Sequence, residues 1–320
     1  MHALDSGELR KAHTQLRNMP TETPRTRTIY LVRHGESRFN VAIRRVNLYR
    51  MMRETDHGLS QRGAAQCRAL RQAIARAADS ADADALALSD AKRVTLGSPL
   101  CRAVLTAHLA LPAADATSIS CVPSAREHCM LPLLSRDSEG TTAPRILQHV
   151  ASELEWLRLG DQPAPPPPQL DLSRVGDGKW WIVAESGAAV TARLGEMLRE
   201  VVAIADAAAD TAAAGEAAPK VVLVGHSQVM RRLFRQYSSA TFASTPIGQR
   251  LATHTVANCA VVRVVLEDAA ATASTEVAAR PPPRVVDAAL LFGTDFDTAL
   301  SEEGSGHGHG HPAHVDSAFF

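Results

Sequence analysis

One recurring unit restricts the fold of this 320-residue chain more than anything else in it. A short apolar, β-branched run ends at a polar motif, and helical spacing then takes over. Residues 28–32 (Thr-Ile-Tyr-Leu-Val) read as a buried strand that stops at Arg33-His34-Gly35. A helix opens at Leu59-Ser60, with Ser60 as its N-cap and Ala64, Cys67, Leu70 and Ile74 recurring along it. Residues 94–97 read as a second strand. Ser98-Pro99 reads as the next helix start, with Ser98 capping and Pro99 at the first helical position, and that helix carries Arg102, Leu105 and Leu109. Further strands are expected at 119–122, 221–224 and 260–266. Ser186 caps a long amphipathic helix with Val190, Leu194, Met197, Leu198 and Val201 on one face. Strands alternating with helices imply a parallel or mixed sheet covered on both faces. The expected fold is therefore α/β, a three-layer sandwich with a central, mostly parallel sheet flanked by helices.

The rest of the chain reads as additions to that unit. Residues 1–27 form a polar N-terminal arm interrupted by Pro20 and Pro24, and 28–268 form the folded domain. Prolines from Pro163 to Pro168 mark a surface loop insertion near 161–179. Residues 269–320 read as a low-complexity, His-rich tail, in which the more apolar 285–296 could dock back. No repeat at the 20–50-residue period of solenoids stands out. Lys+Arg and Asp+Glu are both 34, which speaks against a nucleic-acid partner or a polybasic membrane anchor. Any attraction for an anion must be local. Five cysteines, Cys67, Cys101, Cys121, Cys129 and Cys259, lack C-x-x-C spacing and read as reduced, mostly buried small side chains. The N-terminus has no signal-peptide core, Asp5 and Glu8 speak against a transit peptide, and no apolar run is long enough to span a bilayer. A cytoplasmic protein is expected. His307, His309, His311 and His314 could catch zinc or nickel, but a solvated tail is the preferred reading and no metal site is assigned.

The chemistry-bearing segments each follow an expected strand, where ligands of α/β sheets bind. They are Arg33-His34-Gly35-Glu36-Ser37 with Asn40, Ser98-Pro99-Leu100-Cys101-Arg102, Ser124-Ala125-Arg126-Glu127, and Gly225-His226-Ser227. Two imidazoles, two guanidiniums and one carboxyl group suit phosphoryl transfer. Arginine forks match phosphate oxygens, and a neutral imidazole is a competent nucleophile near pH 7. The transferred group is loose and metaphosphate-like, so positioning and positive charge do most of the catalysis. The departing alkoxide needs a proton, which a carboxylic acid can supply.

The run from Leu31 to Asn40 resembles the R-H-G signature of the histidine phosphatase superfamily, also called phosphoglycerate mutase-like. "LGSPLCRAVLT" (96–106), "SAREH" around Glu127, "VVLVGHSQVMRRL" and "TVANCAVVRVVL" (255–266) resemble its later segments in the family's order. The resemblance spans roughly 28–266. It implies that His34 becomes a phosphohistidine and that Arg33, Arg102 and His226 grip the phosphoryl oxygens. It also implies that Glu127 protonates the leaving group and then activates water, and that Asn40, with Ser37, donates to the same phosphate. The Gly35 carbonyl would hold the His34 tautomer. No metal or organic cofactor is needed, and the implied partner is a phosphorylated small molecule or phosphoprotein acting as substrate.

The same residues admit further readings. Glu36, Glu54, Asp56 and Glu185 rival Glu127 as the working carboxylate. Arg44, Arg45, Arg50 and Arg53 face either a substrate entrance or plain solvent. Gly225-His226-Ser227-Gln228 resembles a serine hydrolase elbow, but Val229 stands where that turn favours a small residue. A phosphoglycerate-type mutase and a weakly catalytic phospho-ligand-binding protein would also use this residue set. The segment 128–134 does not match the extended segment of the mutases.

Overall fold

Burial along β1 (Thr26–Arg33) sets the layering. Ile29 and Leu31 belong to one apolar cluster and Tyr30 and Val32 to another, so the strand is covered on both faces. The computed structural model describes residues 24–112, 118–128, 139–158, 166–176, 180, 185–213, 216–268 and 281–297. After β1 come α1 (Arg38–Arg44), α2 (Leu48–Arg53), α3 (Gln61–Asp79), α4 (Ala83–Ser89), β2 (Val94–Gly97) and α5 (Cys101–Ala110). Next are β3 (Ile119–Cys121), a 3-10 turn (Pro123–Ala125), α6 (Ala143–Trp156), β4 (Leu170–Asp171) and α7 (Gly187–Asp210). The chain continues through β5 (Val221–Gly225), α8 (Ser227–Tyr237), α9 (Ala240–Ala243), α10 (Pro246–Thr253), β6 (Val261–Glu267) and β7 (Arg284–Leu291).

The sheet has seven strands in the order β4-β3-β2-β5-β1-β6-β7. From β4 to β1 the neighbours are parallel, while β6 runs antiparallel to both β1 and β7. One face carries α7 and α8 through Val190, Leu194, Met197, Leu198, Leu233 and Phe234. The other carries α3, α5 and α6 through Cys67, Leu70, Ile74, Val104, Leu105 and Val150. The α/β sandwich with a mostly parallel sheet is the architecture the alternating pattern implied. Ser60 caps α3 and Ser186 caps α7, each accepting from the backbone N–H three residues on.

Three expectations need correction. First, α5 begins at Cys101, and Ser98 does not cap it. The Asp56 carboxylate, remote in sequence, accepts from Cys101 N at 2.9 and 3.1 Å, and Ser98 Oγ accepts from Leu100 N in the turn before. Second, 161–179 is not loop throughout, because β4 lies inside it, pairs with β3 at the sheet edge, and is followed by buried Val175. Third, the boundary at 268 does not hold for 284–297. β7 completes the sheet beside β6, with Val285 and Phe296 buried, because the apolar side chains of 285–296 cover the edge of the β6 half of the core. Residues 1–23 and the His-rich segment 307–314 lie outside the described residues.

Candidate active site

Sheet register alone brings the four polar motifs to one place. Arg33 pairs with Gly225, so His34 and His226 leave neighbouring strand ends side by side, and His34 N donates to Gly225 O at 3.0 Å. Gly97 pairs with Val224 on the other side of β5, and Ser98 N donates to Val224 O, which starts the turn into α5 and Arg102. Cys121 pairs with Gly97 one strand further out, and the chain passes through the 3-10 turn to Glu127. All four segments thus open at the carboxyl edge of the parallel strands.

His34 is 3 % exposed and His226 fully buried, with ring centroids 5.2 Å apart. Nδ1 of His34 faces the Gly35 carbonyl oxygen at 2.7 Å. A carbonyl only accepts, so Nδ1 carries the proton and Nε2 the lone pair. Burial, then the positive charges of Arg102 and Arg33, push His34 well below the ordinary imidazole value, opposed by the Gly35 hydrogen bond. Burial and then Arg102 do the same to His226. Both rings are therefore neutral at pH 7. Among the described residues, neither nitrogen of His226 has a hydrogen-bond partner in its buried position. A neutral imidazole carries one N–H, so an unspent donor faces the interior there.

Arg33 is buried, donates Nη1 to Val256 O at 2.5 Å and approaches Asp297 Oδ2 at 3.5 Å, while its Nε has no hydrogen-bond partner among the described residues. Burial pulls its guanidinium down, against Asp297 first and Glu127 second, which places Glu127 within electrostatic reach of Arg33. Arg102 is 2 % exposed, and its carbonyl accepts from Thr106 Oγ1. Thr106 Oγ1 in turn accepts from Gly35 N at 2.9 Å, tying α5 to the His34 loop. Asn258 Nδ2 donates to the His34 carbonyl at 2.9 Å from the opposite side.

The expected site residues separate into two groups. His34, Arg33, Arg102 and His226 converge, with Glu127 on the adjoining turn. Ser37 and Asn40 instead form the capping box of α1. Ser37 Oγ accepts from Asn40 N, and Asn40 Oδ1 accepts from Ser37 N and Oγ. That leaves the Asn40 amide as its remaining donor. The rival carboxylates are committed elsewhere. Glu36 is buried against Arg44 and accepts from Ser60 Oγ, and the hydrogen bonds from Ser60 and Arg44 outweigh burial and lower its pKa. Glu54 pairs with Arg38, Asp56 caps α5, and Glu185 takes both Arg126 and Arg193. Arg44, Arg45, Arg50 and Arg53 are solvent-exposed on and between α1 and α2. Ser227 is the first residue of α8.

Sequence reasoning passed over Thr106, Asn258, Asp297 and Arg193. Only Arg193 carried a usable signal: a charge at the helical spacing of the apolar face, between Val190, Leu194 and Met197. Among the described residues no group of three or more His, Cys, Asp or Glu could hold a metal ion, and no helix is long and apolar enough to cross a membrane. Cys67, Cys101, Cys121 and Cys259 are buried free thiols. Residues 129–134, where a mutase-type segment would lie, are outside the described residues.

The parallel strands of this α/β sheet thus end in two neutral imidazoles and two buried guanidiniums, an arrangement able to bind an oxyanion. The sequence model of the histidine phosphatase superfamily (branch 1) matches residues 29–276, and the chain belongs to that superfamily. Among solved structures it is similar to mycobacterial glucosyl-3-phosphoglycerate phosphatase, at 21% identity over 82% of this chain and 97% of that one, TM-score 0.41. It is also similar to a putative α-ribazole-5'-phosphate phosphatase from Escherichia coli (16% identity, 74% and 90% covered, TM-score 0.40). A third is phosphoserine phosphatase from Entamoeba histolytica (16% identity, 78% and 98% covered, TM-score 0.37). A search of curated proteins returns no match.

Proposed function

We propose that this protein hydrolyses a phosphomonoester through a phosphohistidine formed at His34 Nε2. The observation that carries the reading is the state of His34: buried, neutral, Nδ1–H spent on Gly35, and the nucleophilic nitrogen left beside Arg102, Arg33 and His226. In the first step Nε2 attacks phosphorus while the ester P–O bond breaks. Arg33, Arg102 and the unspent N–H of His226 hold the three equatorial oxygens, and the Asn40 amide adds a donor at the rim. Glu127, as the acid, gives the departing oxygen its proton. In the second step Glu127, now a carboxylate, takes a proton from water as that water attacks the phosphohistidine. His34 is released neutral and inorganic phosphate leaves. Ser37 contributes through the cap that fixes the start of α1.

Rapid quench with a 32P-labelled ester tests this. The expected outcome is acid-labile, base-stable label on the wild-type protein and none on His34→Ala, with turnover lost as well. A labelled, active His34→Ala protein would refute the mechanism. Incubation with 3-phosphoglycerate, with and without 2,3-bisphosphoglycerate, separates water from a substrate hydroxyl as the acceptor. Isomerised product forming much faster than free phosphate from any ester would replace the phosphatase reading with a mutase one.

A further inference from the structure

Glu127 lies in no helix or strand, only in the turn that follows Pro123–Ala125, yet a proton donor must sit within hydrogen-bond reach of one oxygen. Locally, Glu127 Oε1 accepts from His128 N at 2.8 Å, and the turn is also held from another element. Arg193, on α7 and 6 % exposed, donates Nη1 to the carbonyls of Ser124 (2.7 Å) and Arg126 (3.0 Å). The second of these is the carbonyl of the peptide unit that enters Glu127. The remaining donors of Arg193, Nε and Nη2, take the two oxygens of Glu185 at 2.8 and 2.6 Å. Glu185 also accepts from Arg126 Nη2 at 2.5 Å, and its carbonyl faces His128 Nε2 at 3.2 Å. One buried guanidinium thus grips the backbone on both sides of Ala125 and carries Glu185, whose carboxylate holds the Arg126 side chain and whose backbone carbonyl faces the His128 ring, on either side of Glu127. Its helix is itself anchored to the sheet through Val190, Leu194, Met197 and Val201. A planar fork with five donors can make these contacts together, and an ammonium cannot.

We propose that Arg193 is a positioning residue for the proton donor. By holding the carbonyls of Ser124 and Arg126 it sets where the Glu127 carboxyl meets the leaving-group oxygen. The inference rests on the reading of Glu127 as the acid. Arg193 donates to the turn and to Glu185, so its loss acts through the two steps that need Glu127, and on kcat/KM through the first. Its charge also reaches His226, an effect common to both esters. A misplacement of about 1 Å in a catalytic group costs on the order of 10²-fold.

The test compares kcat/KM on two esters: 4-nitrophenyl phosphate, whose leaving group needs little protonation, and glycerol 2-phosphate, whose alkoxide needs it. Glu127→Gln, Arg193→Met, Arg193→Lys and the Glu127→Gln/Arg193→Met double variant are measured alongside the wild type, with thermal unfolding of each. Arg193→Met is expected to lose on the order of 10²-fold more on the alkyl ester than on the aryl one. Arg193→Lys should share that selectivity, and the double variant should be no more selective than Glu127→Gln alone. The basic limb of the alkyl-ester pH profile should shift in Arg193→Met, which a general loss of folded protein would not produce. Equal losses on both esters from the Arg193 variants, with Glu127→Gln selective, would show Arg193 to be a structural pin and overturn the inference alone. Equal losses from Glu127→Gln itself would remove Glu127 as the acid and the inference with it. If Arg193→Met does not fold, Arg193→Lys decides by the same ratio.

Discussion

His34 and His226 are in the same electrostatic position: both are buried, with Arg102 the strongest charge acting on each. The folded state holds both rings neutral well below pH 6.5, whereas the unfolded chain protonates them near that value. Below 6.5 the unfolded state therefore binds more protons, and stability rises with pH there. The contribution is complete above 6.5 and is lost progressively as pH falls below it. Each such group adds a slope of up to ~1.4 kcal/mol per pH unit. Urea unfolding between pH 4.5 and 8 is expected to show His226→Asn with a shallower acid-side slope than the wild type. An unchanged slope would mean that His226 is protonated in the folded protein. These residues were legible in the sequence because each stands two positions past a β-branched run, just beyond the strand end. Arg193 was not singled out. In sequence it is one charge inside an amphipathic stripe, and only the packed turn shows which carbonyls it serves. The competition among carboxylates was also undecidable there, since the partners of Glu36, Asp56 and Glu185 come from elements far apart in the chain.

At the level of elements, the His34 loop is held against the first turn of α3. A Cβ on Gly63 would lie 2.0 Å from the Glu36 carbonyl oxygen, and one on Gly35 would lie 2.8 Å from that of Gly63. Both clashes are with backbone, so neither is relieved by a rotamer change. Gly63→Ala must push the loop from α3, and overpacking of this kind costs ~1–3 kcal/mol. Because the displaced segment is the loop that follows His34, the proposed nucleophile, activity should fall further than stability. The check is to measure kcat on an aryl phosphate and the urea midpoint of the same variant. A full-activity, full-stability Gly63→Ala protein would contradict this packing. Element boundaries were readable where a side chain next to the helix caps it, as at Ser60 and Ser186. They were misread at α5, where the cap is Asp56, 45 residues away in sequence. β4 was hidden by its length of two residues just after the prolines of 163–168. β7 was hidden because alanines and prolines surround it and its buried residues, Val285 and Ala288, do not follow a two-residue alternation, the pairing with β6 being shifted in register between Val265 and Leu266.

Across the whole molecule, the segment after β7 connects the far edge of the sheet to Arg33. Ala257 N donates to Asp295 O and Asp297 N to Thr255 O, at 2.8 and 2.7 Å, clamping the strand-entry loop on which Val256 and Cys259 lie. Val256 O accepts from Arg33, Cys259 N donates to Arg33 O, and the Asp297 carboxylate stands 3.5 Å from the Arg33 guanidinium. Phe296 is buried beneath this loop, with Arg250 stacked at 4.2 Å from its ring centre. Truncation is therefore expected to have two different effects depending on where it falls. A chain ending at Asp297 keeps β7, Phe296 and every contact just named, and should hydrolyse a small aryl phosphate at the full-length rate. A chain ending at Asp268 exposes the β6 edge and the side chains that Val285, Ala288 and Phe296 cover. Emptying a site filled by one large aromatic side chain alone costs about 3–5 kcal/mol, a large share of the ~5–15 kcal/mol that holds a domain folded. That shorter protein should unfold at a much lower urea concentration. The point variant Asp297→Asn, which leaves β7 and Phe296 in place, separates the edge strand from the carboxylate. It should keep the wild-type urea midpoint and change kcat/KM, because it alters only the charge that offsets Arg33. Wild-type kinetics from Asp297→Asn would confine the role of the C-terminal segment to folding, and a fully stable, active chain ending at Asp268 would show that neither role exists.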